Sequence, residues 1–191
     1  MYWKDEGYLL SKNNFDENSI IIEAFTLNHG KYTGMVYGGS SRKQKGKFQI
    51  GNKFLLHWKS KTENKSGYFN IELIKPVSPY FFDDKKRSVC ILSATSILKI
   101  LLPERQANKK VYNFFENMLA DLRSDNWIKI YINWELSLIK ELGFEANLKT
   151  NYNDDIKTAL TFNRNLLMEN FIIPNRLKFP LFRNILENYF L

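Results

Sequence analysis

Hydrophobic residues in the first 74 positions fall at every second place in short runs between turn signals, and after residue 84 they fall at every third or fourth. The first pattern belongs to strands with one buried face and the second to amphipathic helices. Five strands are predicted, over 8–13, 19–26, 31–37, 53–60 and 68–74. Ile20, Ile22 and Ala24 share one face of the second strand, and Phe54, Leu56 and Trp58 share one face of the fourth. In the fifth, Phe69, Ile71 and Leu73 oppose Tyr68, Asn70 and Glu72, as the wall of a barrel requires. Asn28-His29-Gly30, Gly38-Gly39 and Asn64-Lys65-Ser66-Gly67 punctuate the runs as turns, and Pro76 and Pro79 end the strand region.

In the second half, Ile91, Ala94, Leu98, Leu101 and Leu102 lie at helical spacing up to Pro103, and Val111, Tyr112, Phe115, Met118, Leu119 and Leu122 make a second apolar face. A third helix begins after Ser124-Asp125-Asn126, carries Trp127, Tyr131, Trp134 and Leu138 as a core stripe, and stops at Gly143. Residues 144–160 are rich in Asn, Asp and Thr and read as a connection. Phe162, Leu166, Leu167 and Phe171 then mark one helix, and Pro180 opens a last one with Leu181, Ile185, Leu186 and Tyr189. The fold class is therefore α+β: a five-stranded barrel over 1–78 and an all-α domain over 79–191. Five short strands with a long loop in the middle fit an OB-type barrel, with an SH3-like barrel as the alternative.

Charge adds a location to this outline. Between Gly38 and Lys65 the chain places eight basic residues, Arg42, Lys43, Lys45, Lys47, Lys53, Lys59, Lys61 and Lys65, against the single acid Glu63, a balance of +7 out of a formal net charge of +8. Such a concentration marks a patch suited to a polyanion, the other reading being a solvated lysine-rich loop. OB barrels hold single strands by drawing the phosphate backbone along a cationic groove and stacking bases on exposed aromatics. Tyr32, Tyr37, Phe48, Trp58 and Tyr68, in and around the basic segment, are the aromatic candidates, with Tyr37 and Trp58 put forward for the interface. Aromatics in so small a barrel are more often core, and Trp58 in particular shares its face with Phe54 and Leu56.

Other chemistries are excluded by arithmetic. One cysteine, Cys90, and two histidines, His29 and His57, leave no disulfide and too few ligands for a transition-metal site. No paired carboxylates, nucleophile-histidine pair or phosphate loop emerges; Gly38-Gly39-Ser40-Ser41 lacks the P-loop spacing. No catalysis and no cofactor are expected. Without an apolar run of about eighteen residues, and with Asp5 and Glu6 near the start, a cytoplasmic location is expected.

The order of elements resembles the RecO family of bacterial DNA repair proteins. The residues that carry the likeness are Asp5-Glu6-Gly7, Glu17-Asn18-Ser19, the stretch from His29 through Gly30, Lys31 and Tyr32 to Gly39, and Gln49-Ile50-Gly51-Asn52. In the helical half they are Leu102-Pro103-Glu104-Arg105, Tyr131 to Leu136, and Gly143-Phe144. The resemblance implies an N-terminal OB barrel that contacts DNA around Arg42 and Lys43, where the charge count independently falls. It implies a nucleoid-associated recombination mediator that binds single- and double-stranded DNA and anneals complementary strands. Such a mediator works with RecR to load RecA onto strands coated with single-stranded-DNA-binding protein. It also implies docking of that protein's acidic, apolar C-terminal tail on the helical half, for which Arg105, Lys109, Lys110, Arg176, Lys178 and Arg183 are candidate rim residues. The four-cysteine zinc module of some relatives has no counterpart after Phe144. An RNA-binding OB protein and a non-catalytic interaction adaptor are the competing readings.

Overall fold

The structure, a computed structural model, describes residues 1–41, 44, 46–61, 67–144 and 155–190. Five strands, β1 (Tyr2–Asn14), β2 (Ser19–Thr26), β3 (Gly30–Tyr37), β4 (Lys53–Lys59) and β5 (Gly67–Lys75), close into a barrel in the order β1-β2-β3-β5-β4. All pairings are antiparallel except that of β3 with β5. This Greek-key closure is that of an OB-type barrel and replaces the SH3-like alternative.

The first strand is longer than the alternation predicts. It begins at Tyr2, and its early residues pair with β4, Tyr2 opposite Lys59 and Gly7 opposite Phe54. Asp5, which lies before the predicted start of the strand, is buried at 5% exposure. It is tolerated because its carboxylate accepts hydrogen bonds from the Glu6 and Asn28 backbone N–H groups and the Asn28 side chain, and pairs with His29 Nδ1 at 3.0 Å. Burial pushes the Asp5 pKa up, but the contacts to His29 and Asn28 outweigh it and hold the group below its ordinary value.

Closure depends on a side chain meeting two missing ones. The parallel pairing of β3 with β5 spans only Gly34–Gly67 and Met35–Tyr68. A Cβ on Gly34 would lie 2.4 Å from the Trp58 indole, and one on Gly67 also 2.4 Å from it. Trp58, 1% exposed, thus occupies the space beneath both glycines and packs against Phe69, Tyr32 and Trp3 at ring separations of 4.7, 5.2 and 5.9 Å.

After a 3₁₀ turn over Ser78–Phe81 come five helices: α1 (Lys85–Leu101), α2 (Lys109–Asp121), α3 (Trp127–Glu141), α4 (Ile156–Leu167) and α5 (Leu181–Asn188). The side chains of Asp84, Asn108 and Asp155 cap α1, α2 and α4 by accepting from the N–H groups of Arg87, Val111 and Thr158. Gly143, at φ 97°, ends α3 as the sequence predicts. Helix α4 starts at Ile156, inside the stretch expected to be a connection; the Asp and Thr residues that look like loop there include its cap. It runs on as a π turn over Met168–Ile172.

The barrel interior is a core of its own, and a second core joins the helices to the barrel's outer face. Tyr8, Leu10 and Phe25 point outward from the barrel into the helical cluster, where Tyr8 meets Tyr112 and Phe115 at 5.5 and 5.1 Å and Phe25 meets Tyr112 at 5.6 Å. Among the helices, α5 is tied down by Arg183, which donates to Glu135 at 2.7 and 3.1 Å and to the Leu160 carbonyl at 2.8 Å, with both charged side chains fully buried. Tyr131 donates to the same carboxylate at 3.0 Å.

Two stability measurements follow from this packing. Gly67→Ala should lower the unfolding free energy in urea by about 1–3 kcal/mol, because neither the indole nor the strand can retreat without losing the closure. Arg183→Met should cost about 3–5 kcal/mol by stranding Glu135, and adding Glu135→Leu should recover much of that loss.

Candidate nucleic-acid interface

Strand register fixes which side chains share the barrel's outer wall. Tyr2 lies opposite Lys59 across β1 and β4, Lys59 lies opposite Tyr68 across β4 and β5, and the Tyr68 ring meets that of Tyr37 on β3 at 5.9 Å with a 58° tilt. Tyr2, Lys59, Tyr68 and Tyr37 are all exposed, Tyr2 and Tyr37 by 62% and 68%. They form a row across four strands, about 14 Å long at the ~4.8 Å spacing of neighbouring strands. A parallel row, Lys4, His57 and Asn70, lies beside it, and the Tyr2 hydroxyl is 3.0 Å from His57 Nδ1.

The sequence-predicted residues divide into three groups. Tyr37, Lys47, Lys59 and Lys61 are exposed, and none of the three lysines forms a salt bridge among the described residues. Arg42, Lys43, Lys45 and Lys65 lie outside the described residues. Trp58 and Lys53 are corrections. Trp58 is the wedge under the barrel closure and has no face to offer a base.

Lys53 is buried in the seam with the helices, its Nζ 2.9 Å from Glu6 and 2.6 Å from Glu116 and within 5.6 and 5.7 Å of the Tyr8 and Tyr112 rings. Its charge is neutralised locally and is not available to a phosphate. Of the other aromatics, Tyr32 and Phe48 are buried.

Tyr2 and Lys4 escape sequence reasoning because the first strand is predicted only from Tyr8; the Trp3, Asp5, Gly7 alternation is the signal that extends it. A mean count of charge also hides Lys4, which is distant in sequence from the basic segment and adjacent to it in register.

On the helical half, Arg183 is a further correction. It is fully buried in the ion network and forms no rim. Lys109, Lys110, Arg176 and Lys178 are exposed, with Lys110 paired to Glu141 at 3.1 Å. Arg105 sits over the Tyr32 ring at 5.5 Å, beside the β2–β3 turn, where its N–H donates to the Lys31 carbonyl. Of the six, Arg183 is thus removed from the surface and Arg105 is engaged against the barrel. Arg176 and Lys178 do have apolar neighbours in sequence: Ile173, Leu177 and Leu181 are exposed by 63%, 37% and 67%. Among the described residues no three His, Cys, Asp or Glu side chains converge as metal ligands, and no helix is long and apolar enough to cross a membrane.

Comparison with known proteins decides the family. Residues 1–77 match the model for the N-terminal part of recombination protein O, and residues 83–154 match that for its C-terminal part. The chain belongs to the RecO family.

It is 33% identical over 164 residues to the DNA repair protein RecO of Wolbachia sp. subsp. Drosophila simulans (strain wRi), covering 85% of this chain and 68% of that one. The RecO proteins of Roseobacter denitrificans and Rickettsia africae are 33% and 35% identical over 161 and 145 residues. These matches cover 82% and 76% of this chain, and 67% and 61% of theirs. RecO family membership places the protein in DNA repair and recombination, and the OB-type barrel is the part its N-terminal match covers.

The reassignment of Lys53 carries a pH signature. Burial pushes the Glu116 pKa up, but the hydrogen bonds from Lys53 and Tyr8 outweigh it and keep the group below its ordinary 4.5. Lys53 is shifted up on balance, since its bonds to Glu116 and Glu6 exceed the cost of its burial, and it stays charged. A carboxylate whose pKa is depressed on folding stabilises above its unfolded value and loses that contribution as pH falls through the folded one. Glu116→Gln should therefore cost about 1–2 kcal/mol near pH 7, discounted for the partial exposure of Glu116. The difference from wild type should hold down to roughly pH 5 and shrink toward pH 3 in urea titrations. A difference that grew on acidification would return Lys53 to the set of free cations.

Proposed function

We propose that the protein binds DNA along the outer wall formed by β1, β4, β5 and β3 and acts without catalysis as a recombination mediator. The observation that carries this reading is the row Tyr2, Lys59, Tyr68, Tyr37, in which aromatic rings flank a cation across the exposed wall of an OB-type barrel. Membership of a DNA repair family supports it, as does the basic balance of the segment from Gly38 to Lys65, +6 once Lys53, paired with Glu6 and Glu116, is set aside.

Lysines on this wall and in the segment neutralise phosphates and release counterions, which gives affinity with little regard to sequence. Bases stack on tyrosines because every base has a π face. Two complementary strands held on one cationic surface have their mutual repulsion screened while their base edges remain free, which is the physical requirement for annealing. The same protein, working with RecR, would load RecA onto strands coated with single-stranded-DNA-binding protein. The acidic, apolar tail of that coat protein would dock on the helical half, where Ile173, Leu177 and Leu181 stand exposed near Arg176 and Lys178.

Replacing Arg42, Lys43, Lys45 and Lys47 together by Glu should reduce affinity for a mixed-sequence single strand by a factor on the order of 100 at low salt. The slope of log affinity against log salt should flatten by about 0.7 for each phosphate that is no longer neutralised. Fluorescence anisotropy over a salt series reads both quantities. Unchanged affinity would remove the basic segment from the interface, and equal affinity for matched RNA would argue for the RNA-binding reading.

A further inference from the structure

We propose that the cleft between the end of β3 and β5 receives one unpaired nucleotide base and thereby sets a preference for single strands over duplex; this rests on the nucleic-acid reading above and adds a site to it. The two strands pair only at Gly34–Gly67 and Met35–Tyr68 and then part. The space between them is a cleft of about 530 Å³, within the range of about 300–1,000 Å³ typical of small-ligand sites. Tyr37 and Tyr68 stand on it and are exposed, and the buried rings of Phe48 and Phe69 form apolar wall. Ser41, Gln44 and Asn70 add a hydroxyl and two amides.

This lining selects a neutral, planar, polar-edged ligand. A flat ring stacks on Tyr37 or Tyr68, and the 58° tilt between the two lets the second tyrosine meet the edge of a ring stacked on the first. Asn and Gln amides each offer a donor and an acceptor, so they pair with the edge of any base without demanding one in particular. Among the described residues lining the cleft none is charged. The cation lies just outside: Lys59 is directly opposite Tyr68 in register and is placed to take the phosphate of a nucleotide whose base has entered.

A base within a duplex cannot enter in this way. Its faces are stacked and its edge is paired, and extruding it carries an energetic penalty that an unpaired strand avoids. The wall's lysines would thus bind both forms of DNA, and the cleft would discriminate between them.

The test uses the full chain with a single strand carrying one 2-aminopurine and the same strand in a duplex. Wild type should quench the single-strand reporter on binding. Tyr37→Ala, Tyr68→Ala and Asn70→Ala should each weaken single-strand binding by roughly five- to hundredfold for a ring and less for the amide, with duplex affinity moving less than about twofold. All three residues are solvent-exposed, so unfolding midpoints should stay at the wild-type value and confirm that the variants fold. Lys59→Glu should weaken both forms alike.

Equal losses on single strand and duplex in the tyrosine variants, or an unquenched reporter, would overturn the cleft assignment and leave the electrostatic reading standing. Absence of wild-type binding to either form would overturn both.

Discussion

The indole of Trp58 beneath Gly34 and Gly67 is the contact on which the barrel's geometry turns. A closed barrel of five strands leaves little interior volume, and one large ring against two glycines fills it where ordinary side chains would collide. Because the strand period is two, fixing Trp58 inward fixes Lys59 outward, and with it the alignment of Tyr2 and Tyr68 on either side. The same wedge allows β3 and β5 to touch over only two residue pairs, so the strands diverge beyond Met35 and leave space between them. The exposed wall and the cleft are thus consequences of one interior contact.

A second constraint joins this barrel to the helices. Tyr8, Leu10 and Phe25 face outward from the barrel, yet they belong to the helical core. Around that apolar centre the charged groups pair across the seam: Lys53 with Glu116, Lys99 with Glu23 at 2.9 Å, and Lys31 with Glu104 at 3.4 Å. Lys31 also donates to the Lys99 carbonyl, and Gly30, at φ 79°, lies so close to Gln106 that a Cβ there would meet its carbonyl oxygen at 2.1 Å. Two units joined by a shared apolar core and a rim of ion pairs have little freedom to move against one another. The wall formed by β1, β4 and β5 keeps its outward row away from these seam pairings, since Tyr2, Lys59 and Tyr68 pair at the far end of the strands from Lys53 and Tyr8.

Much of this is legible in the residues, for reasons that also explain the failures. Period-two alternation locates all five strands because one face of each is apolar, and Gly143 locates the end of α3, whereas Asp155, the cap of α4, reads as part of a connection. Asp5 falls outside the predicted first strand because the burial of a carboxylate is visible only once its donors, Asn28 and His29, are brought beside it by the β2–β3 turn. Lys53 and Arg183 mislead in the same way: a basic side chain in sequence carries no sign of the Glu116 or the Glu135 that awaits it some sixty or fifty residues away. Trp58 can be read inward from Phe54 and Leu56, but the two glycines that make room for it lie on other strands. The charge total is sound as a sum, while which lysines face solvent is a property of register.

Affinity and selectivity for nucleic acid come from different features of such a surface. Lysine heads on flexible stems tolerate many phosphate positions, so their number matters more than their exact placement, and they treat paired and unpaired strands alike. Stacking requires a ring at a fixed angle and an open face, which the barrel supplies through strand register and not through composition. Tyr37 and Tyr68 have that placement because β3 and β5 part where they do; moving either residue by one position would turn its ring toward the interior occupied by Trp58 and Phe69. A protein of this kind can therefore drift in its lysines at little cost to binding, whereas the tyrosine positions are held by the same packing that closes the barrel.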